Sequence, residues 1–278
     1  MPIFSEEDQI SSSNGIYPSL GGGLRPVNSD EEACSVANGE VVLSLRGPTM
    51  PMLDGTPDLA VALNQRLWPP DKRYLKVRFV NGEPPQWRYV ENIVTEHYHV
   101  IRMHLRFEFL KETTTVPSDI RIRFTDYSAS YVGRVAEKHP GEPTMWLDVR
   151  SSILSDKLAR EKMQADILHE FGHALGMEHE HRHPYCEIDW NYRNLQGRNG
   201  WSLERVHANY KKIKSRDLSL TSYDTKSIMH YPIHRGDTKE KDKRLSLNSV
   251  LSEGDRSFLE SMYPAKSSGD NQTTASHV

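Results

Sequence analysis

The feature that most constrains this 278-residue chain is a short segment with three regularly spaced histidines. It reads His169-Glu-Phe-Gly-His-Ala-Leu-Gly-Met-Glu-His179. His169 and His173 are four residues apart, which places their imidazoles about 40° apart around a helix of about 3.6 residues per turn. Two imidazoles that project side by side from one helix can bind the same metal ion. The segment therefore predicts a helix that presents a pair of metal ligands.

A glycine predicts where this helix ends and how the third histidine arrives. Glycine takes the left-handed conformation at little cost, so Gly176 can turn the backbone sharply and bring His179 round as a third ligand. Three protein ligands leave one tetrahedral position of a zinc ion for water, which is the arrangement of a catalytic site. Glu170 is then not needed as a ligand and is expected to act as the general base toward that water.

Two other interpretations of the segment stay open at this point. A helix with solvated surface histidines would bind no metal. A closed structural zinc site would need a fourth ligand, for which His181 and His183 are candidates, but it would leave Glu170 and Gly176 without a purpose. For His181 and His183 themselves, we expect hydrogen bonding within the loop rather than a second metal site.

The residues around the motif predict an α/β fold. Alternating apolar residues indicate strands at Tyr74–Phe79, near residues 105–109, at Ile120–Phe124 and at residues 143–149. Apolar residues at helical spacing indicate amphipathic helices within residues 86–104 and from about 155 to 176. The opening proline of the strand at 143–149 is typical of a sheet edge, where a missing N–H is tolerated. The order of these elements favours a sheet with helices packed on it.

The rest of the chain is expected to be less regular. Beyond Pro184 it is polar and loop-rich until a last helix, which Ser252 can cap, with Asp255 in its first turn and Pro264 as its stop. Residues 1–64 read as an irregular leader and a candidate pro-segment, residues 65–264 as the catalytic domain, and residues 265–278 as a disordered tail.

Composition limits the partners of the chain. No run of about 18 apolar residues exists, so no membrane span is expected. The formal net charge of −3 provides no basis for nucleic-acid binding, and we expect a monomer. The first ten residues lack a basic start, an apolar stretch and a small-residue cleavage site, so no secretory signal is predicted. The chain is expected to be cytoplasmic or exported by a non-classical route.

Two motifs together resemble one family. The stretch from His169 to His179 resembles the extended zinc signature of the metzincins, and Glu180 directly after it is the residue that marks astacins among them. Farther along the chain, Ser227-Ile-Met-His-Tyr231 resembles the astacin Met-turn. The chain is therefore similar to the astacin zinc metalloendopeptidases from about Trp68 to Tyr263. Serralysins also carry a Met-turn tyrosine but typically place proline after the third histidine, so they are the runner-up.

The resemblance implies a fold and a mechanism. The fold is an α+β metzincin, with a twisted mixed sheet and the active-site helix in an N-terminal subdomain, and a mostly irregular C-terminal subdomain that ends in a helix. One catalytic zinc would act on protein or peptide substrates. Met229 would form an apolar floor under the metal, and Tyr231 would be a fifth ligand at rest and then hydrogen-bond the oxyanion. The strand at 143–149 resembles the family's edge strand, where substrates pair through their backbones.

One alternative of another class is a zinc protein that only recognises partners. An intact Glu170 favours the enzyme, because a pure binder gains nothing from a general base. The cysteines also depart from the family, since many astacins have two disulfides in the catalytic domain and this chain has only Cys34 and Cys186. Cys34 can bridge to Cys186, remain a free inert thiol, or bind the open zinc position as a blocking thiol that keeps the enzyme latent.

Overall fold

A computed structural model describes residues 64–111, 113, 115–150, 156–213, 219 and 222–265. Most of the predicted leader and nearly all of the predicted tail lie outside these residues, so the domain boundaries near 64 and 265 stay predictions. None of the helices in the described residues is long and apolar enough to cross a membrane.

Five strands of the described residues form one mixed sheet. They are β1 (Tyr74–Phe79), β2 (Arg106–Phe109), β3 (Ile120–Phe124), β4 (Ala129–Ser130) and β5 (Met145–Leu147). Their order across the sheet is β2-β1-β3-β5-β4, with every neighbouring pair parallel except β4 and β5. Alternation along β1 buries Leu75 and Val77 completely, as a strand with one covered face requires. The predictions of β1, β2 and β3 are confirmed.

Five α-helices complete this part of the chain. They are α1 (Pro84–Tyr98), α2 (Lys157–Ala174), α3 (Tyr192–Asn199), α4 (Leu203–Tyr210) and α5 (Glu253–Met262). The α1 and α2 helices contact each other and the sheet. The helix predicted within 86–104 ends earlier than expected, and Ile101 is buried just beyond its end. The α5 helix begins after Ser252, whose hydroxyl accepts from the N–H of Asp255, so the predicted cap is confirmed.

The sheet edge differs from the prediction, which placed it at residues 143–149. That assignment is wrong, because β5 lies inside the sheet between β3 and β4. Ala129 and Ser130 of β4 pair antiparallel with β5 and cover the edge that the prediction left open. A strand of two residues shows no periodicity that a sequence could reveal. Pro143 precedes β5, where no ladder N–H is needed.

The α3 and α4 helices lie in the region that was predicted to be loop-rich. Each begins at a side-chain cap, since Asn191 accepts from the N–H of Asn194 and Ser202 accepts from the N–H of Arg205. Gly200 ends α3 with a φ of 66°. Both helices are short and rich in polar residues, so apolar spacing does not reveal them.

Two apolar cores position the elements that matter for function. The larger core joins the sheet, α1, α2 and α5, and in it Phe171 of α2 packs edge-on against Phe107 with ring centroids 4.9 Å apart. The smaller core contains Cys186, Ile188, Trp190, Leu195, Val206, Tyr210, Tyr231 and Ile233. The first core therefore fixes α2, and the second fixes Tyr231.

Candidate metal centre

Three histidine side chains meet at the C-terminal end of α2. Ligand nitrogens of His169, His173 and His179 all lie within 4.8 Å of one another, and all three residues are buried. The Nε2 atoms of His173 and His179 are 3.2 Å apart. In the described part of the chain this is the one such group of three or more metal-binding side chains. The structure thus brings together the three residues that the sequence singled out as ligands.

The turn that leads to the third histidine depends on glycine. Gly176 has a φ of 90°, a conformation that L side chains rarely adopt, as the sequence analysis expected. The N–H of Met177 donates to the carbonyl of Gly172 (3.0 Å), which closes the end of α2. The backbone then reverses and presents His179 to the histidines of the helix.

Backbone carbonyls determine which ring nitrogens of the histidines carry protons. His169 Nδ1 is 2.9 Å from the carbonyl oxygen of Ile228, and His173 Nδ1 is 2.7 Å from that of Met177. A carbonyl can only accept, so Nδ1 carries the proton and the Nε2 lone pair is free. His169 Nε2 is buried and has no hydrogen-bond partner in the described residues. A buried acceptor without a partner is costly, and a metal ion fits as the partner of these nitrogens.

Burial keeps all three imidazoles neutral. Loss of water contact lowers the pKa of His169 to about 4. The same cause, with neighbouring histidines, lowers the pKa values of His173 and His179 well below the ordinary value. Metal ions bind the neutral form of imidazole, so no proton competes with them at neutral pH. Three neutral nitrogens are a donor set typical of zinc.

Glu170 is buried beside this cluster, with 2% of its surface exposed. It follows His169 on α2 but does not belong to the ligand group. A carboxylate one residue from a ligand leaves the helix about 100° round from it, so Glu170 can face the metal without replacing a ligand.

Met229 lies against α2 between the two helical histidines, and Tyr231 lies against the histidine rings. A Cβ on Gly172 would be 2.6 Å from the Met229 sulfur, so this sulfur packs directly on the α2 backbone. The Tyr231 ring centroid is 4.5 Å from that of His179 and 6.1 Å from that of His169. Glycine at 172 therefore makes room for the methionine. This requirement was not predicted from the sequence, although a glycine inside a helical pattern is a signal of close packing.

The two further histidines of the loop are held by hydrogen bonds, as expected. His181 Nε2 donates to the carbonyl of Asn209 (2.8 Å), and its ring stacks on Tyr231 with centroids 4.2 Å apart. His183 Nδ1 accepts from the N–H of Tyr185 (3.1 Å). Neither belongs to the ligand group of the described residues.

Glu180 connects the turn that carries His179 with the Met-turn at residues 227–231. Its N–H donates to the carbonyl of Met229 (3.0 Å), and its carboxylate accepts from the N–H of Asp224 (2.8 Å). Burial raises the pKa of Glu180 to about 7. The residue next to His179 is therefore tied to the segment below the metal centre.

Asp255 anchors the Met-turn from α5. Its carboxylate accepts from the Ser227 hydroxyl (2.6 Å), from the N–H of Ile228 (2.8 Å) and from the N–H of Ser252 (2.9 Å). The sequence alone predicts for Asp255 only a place in the first turn of a helix. No local pattern connects it with the distant Met-turn, so the anchoring role becomes visible only in the fold.

We expect Asp255→Ala to lower the free energy of unfolding by about 3 kcal/mol, because buried donors of the Met-turn lose their acceptor. Urea unfolding measures this change. Glu253→Ala removes an exposed carboxylate from the same helical turn and is expected to cost less than about 1 kcal/mol. Equal effects of the two substitutions would contradict the anchoring role.

The structure describes only one of the two cysteines. Cys186 is buried and makes no disulfide within the described residues. Cys34 lies outside them, so the bridge to Cys186, the inert thiol and the zinc-blocking thiol all stay predictions.

The mixed sheet, the helix with two histidines and the third histidine after a glycine turn define a metallopeptidase of the metzincin type. A family model described as Astacin, a peptidase family, matches residues 83–253, which is more than half of the chain. The chain belongs to the astacin family, and the serralysin alternative is not favoured.

Solved structures with this fold are similar to the chain. One structure of myroilysin has 30% sequence identity and a TM-score of 0.64, over 73% of this chain and 98% of that chain. A second structure of myroilysin has 30% identity and a TM-score of 0.53, over 72% and 86%. A hatching enzyme zinc-protease from the medaka fish Oryzias latipes has 17% identity and a TM-score of 0.49, over 73% and 96%. No curated protein matches this chain.

Proposed function

We propose that this protein is a zinc-dependent endopeptidase whose single metal ion is held by His169, His173 and His179. The observation that carries the proposal is the convergence of three buried, neutral ring nitrogens beside a buried carboxylate. A zinc ion bound there would polarise the scissile carbonyl and acidify water.

The chain's own residues supply the proton transfers and the charge stabilisation. Glu170 takes a proton from the attacking water and returns it to the leaving amine, as a carboxylate beside the reacting centre can. The phenol of Tyr231 donates a hydrogen bond to the oxyanion of the tetrahedral intermediate. The contacts of Tyr231 with His179 and His181 support this role, because they hold its ring against the histidine cluster.

The substrate is proposed to bind along the edge of the sheet. Among the described strands, β4 is hydrogen-bonded to β5 on one side only, and it contacts α2. An extended peptide can add to such an edge through its backbone, so that its internal bonds rather than its ends would lie along the sheet.

Tyr231→Phe is expected to retain zinc and fold but to lower kcat by about 10- to 1,000-fold, the scale of a lost oxyanion donor. KM should change less, because the hydrogen bond forms in the transition state. Steady-state kinetics with a fluorogenic peptide, alongside zinc analysis, measures both. Tyr192→Phe removes a phenol outside the histidine cluster and is the control. Full activity of Tyr231→Phe would limit Tyr231 to a structural role.

The function is tested with peptides whose two ends are blocked by acetyl and amide groups. Only an endopeptidase cleaves these peptides, and we expect internal cleavage that stops with a chelator and returns with added zinc. Stoichiometric zinc without cleavage of a diverse peptide library would instead favour a zinc protein that only recognises partners. Cleavage that a chelator does not affect would refute the metal-dependent mechanism.

A further inference from the structure

Residues 66–68, which we call the strap, cross the C-terminal end of α2 and the turn that follows it. Trp68 Nε1–H donates to the carbonyl of Ala174 (2.8 Å), the last residue of the helix. The Leu67 side chain lies against Gly176, since a Cβ there would be 3.0 Å from it. Carbonyls at a helix end lack partners within the helix, so the strap satisfies one of them and covers the glycine turn.

The first residue of the strap makes a buried ion pair with the turn. Arg66 Nη1 is 2.5 Å from Glu178 Oε1, and only 8% and 3% of the two side chains are exposed. The carbonyl oxygen of Arg66 lies so close to Gly133, which has a φ of 52°, that a Cβ there would clash with it. The strap therefore packs closely against two backbone segments, the turn at Gly176 and the segment at Gly133.

Glu178 lies between two groups that shape the metal centre. The carbonyl of Met177 accepts from His173 Nδ1 (2.7 Å) and so orients that imidazole. On its other side is His179, the third ligand of the proposed site. A shift of the Glu178 backbone would move both the carbonyl and the histidine, and thereby two of the three ligand nitrogens.

The stability of the folded chain does not by itself explain why Arg66 and Glu178 form a buried ion pair. The loss of hydration around two charges can exceed their attraction, and apolar replacements are often equally stable. An arginine and a carboxylate do, however, fix distance and orientation between the segments that carry them. The role of this pair is therefore inferred from its location beside His179 and not from its contribution to stability.

We propose that the Arg66–Glu178 ion pair positions the turn that carries His179, so that the strap sets the affinity and geometry of the metal site. The inference rests on the proposed zinc function. Neither side chain is a ligand, and both act through the backbone of the turn. Partners outside the ligand set typically contribute about 10- to 100-fold to metal affinity.

The experiment uses the full chain with Arg66→Met, Arg66→Lys and the double variant Arg66→Met with Glu178→Met. Zinc affinity is measured by competition with a chromophoric chelator. The visible spectrum of the cobalt-substituted protein reports coordination geometry, and urea unfolding of the metal-free protein reports stability. Arg134→Met, which removes a half-exposed arginine paired with Glu137, is the matched control.

We expect Arg66→Met to weaken zinc binding by about 10- to 100-fold and to change the cobalt spectrum. Arg66→Lys should recover part of the affinity, because it keeps the charge but not the planar fork. The double variant should regain the stability of the metal-free protein, because no charge is left buried, but not the zinc affinity. If Arg66→Met fails to fold, the double variant provides the same comparison with the wild-type chain.

A double variant that recovers both stability and zinc affinity would overturn the inference, because the pair would then be structural only. Unchanged zinc affinity in a folded Arg66→Met protein would overturn it as well. Failure of the proposed function looks different, since the wild-type chain would then bind no zinc or cleave no peptide.

Discussion

Replacement of Glu170 by alanine is expected to lower kcat by about 10²- to 10⁴-fold while one zinc ion per chain is retained. The carboxylate is buried beside the three histidines but lies outside the ligand group, so its loss should affect proton transfer and not metal binding. Both the activation of water and the protonation of the leaving amine depend on it, and no other group of the proposed mechanism can replace it.

Two further variants sharpen this test. Glu170→Gln keeps the size of the side chain and should lose as much activity as the alanine variant, which separates the loss of a base from the loss of packing. Glu161→Gln changes an exposed carboxylate of the same helix and should behave as wild type. Metal analysis and peptide cleavage are measured on the same samples. Loss of zinc from Glu170→Ala, or full activity in it, would contradict the assignment of roles.

The second large effect is expected for His173→Ala, which should lose stoichiometric zinc and reduce cleavage to background. His173 supplies a nitrogen that lies 3.2 Å from that of His179, so its removal leaves only two of the three histidine ligands. Affinity should fall by more than the roughly 10- to 100-fold that the loss of an outer partner costs. Metal analysis after dialysis and peptide cleavage measure the two losses.

His183→Asn provides the control for this substitution. His183 is also buried and follows His179 by four residues, but its Nδ1 accepts from the N–H of Tyr185. The amide oxygen of asparagine can take over this acceptor, so zinc and activity should persist. Stoichiometric zinc in His173→Ala, or its loss in His183→Asn, would show that the ligand set has been assigned incorrectly.

The sheet shows which elements local sequence can predict. Strands β1, β2 and β3 alternate over several residues, and the two long helices repeat their apolar spacing over several turns, so periodicity identifies them. The edge strand β4 has only two residues and follows from its pairing with β5. The α3 and α4 helices have only eight residues each and are rich in polar side chains, so they were not predicted from the sequence.

The metal centre likewise combines features that the sequence predicts with contacts that only the folded chain creates. The proximity of His169 and His173 and the turn at Gly176 follow from the sequence alone, because helix geometry and the conformational freedom of glycine act over a few residues. The partners of these groups come from far along the chain: Arg66 and Glu178 are 112 residues apart, and Asp255 is 28 residues from Ser227. No periodicity connects such residues, since their contact depends on how the two cores bring α2, the strap, the Met-turn and α5 together. Spacing therefore predicts which side chains can bind a metal, and only the packing of the folded chain decides what holds them in place.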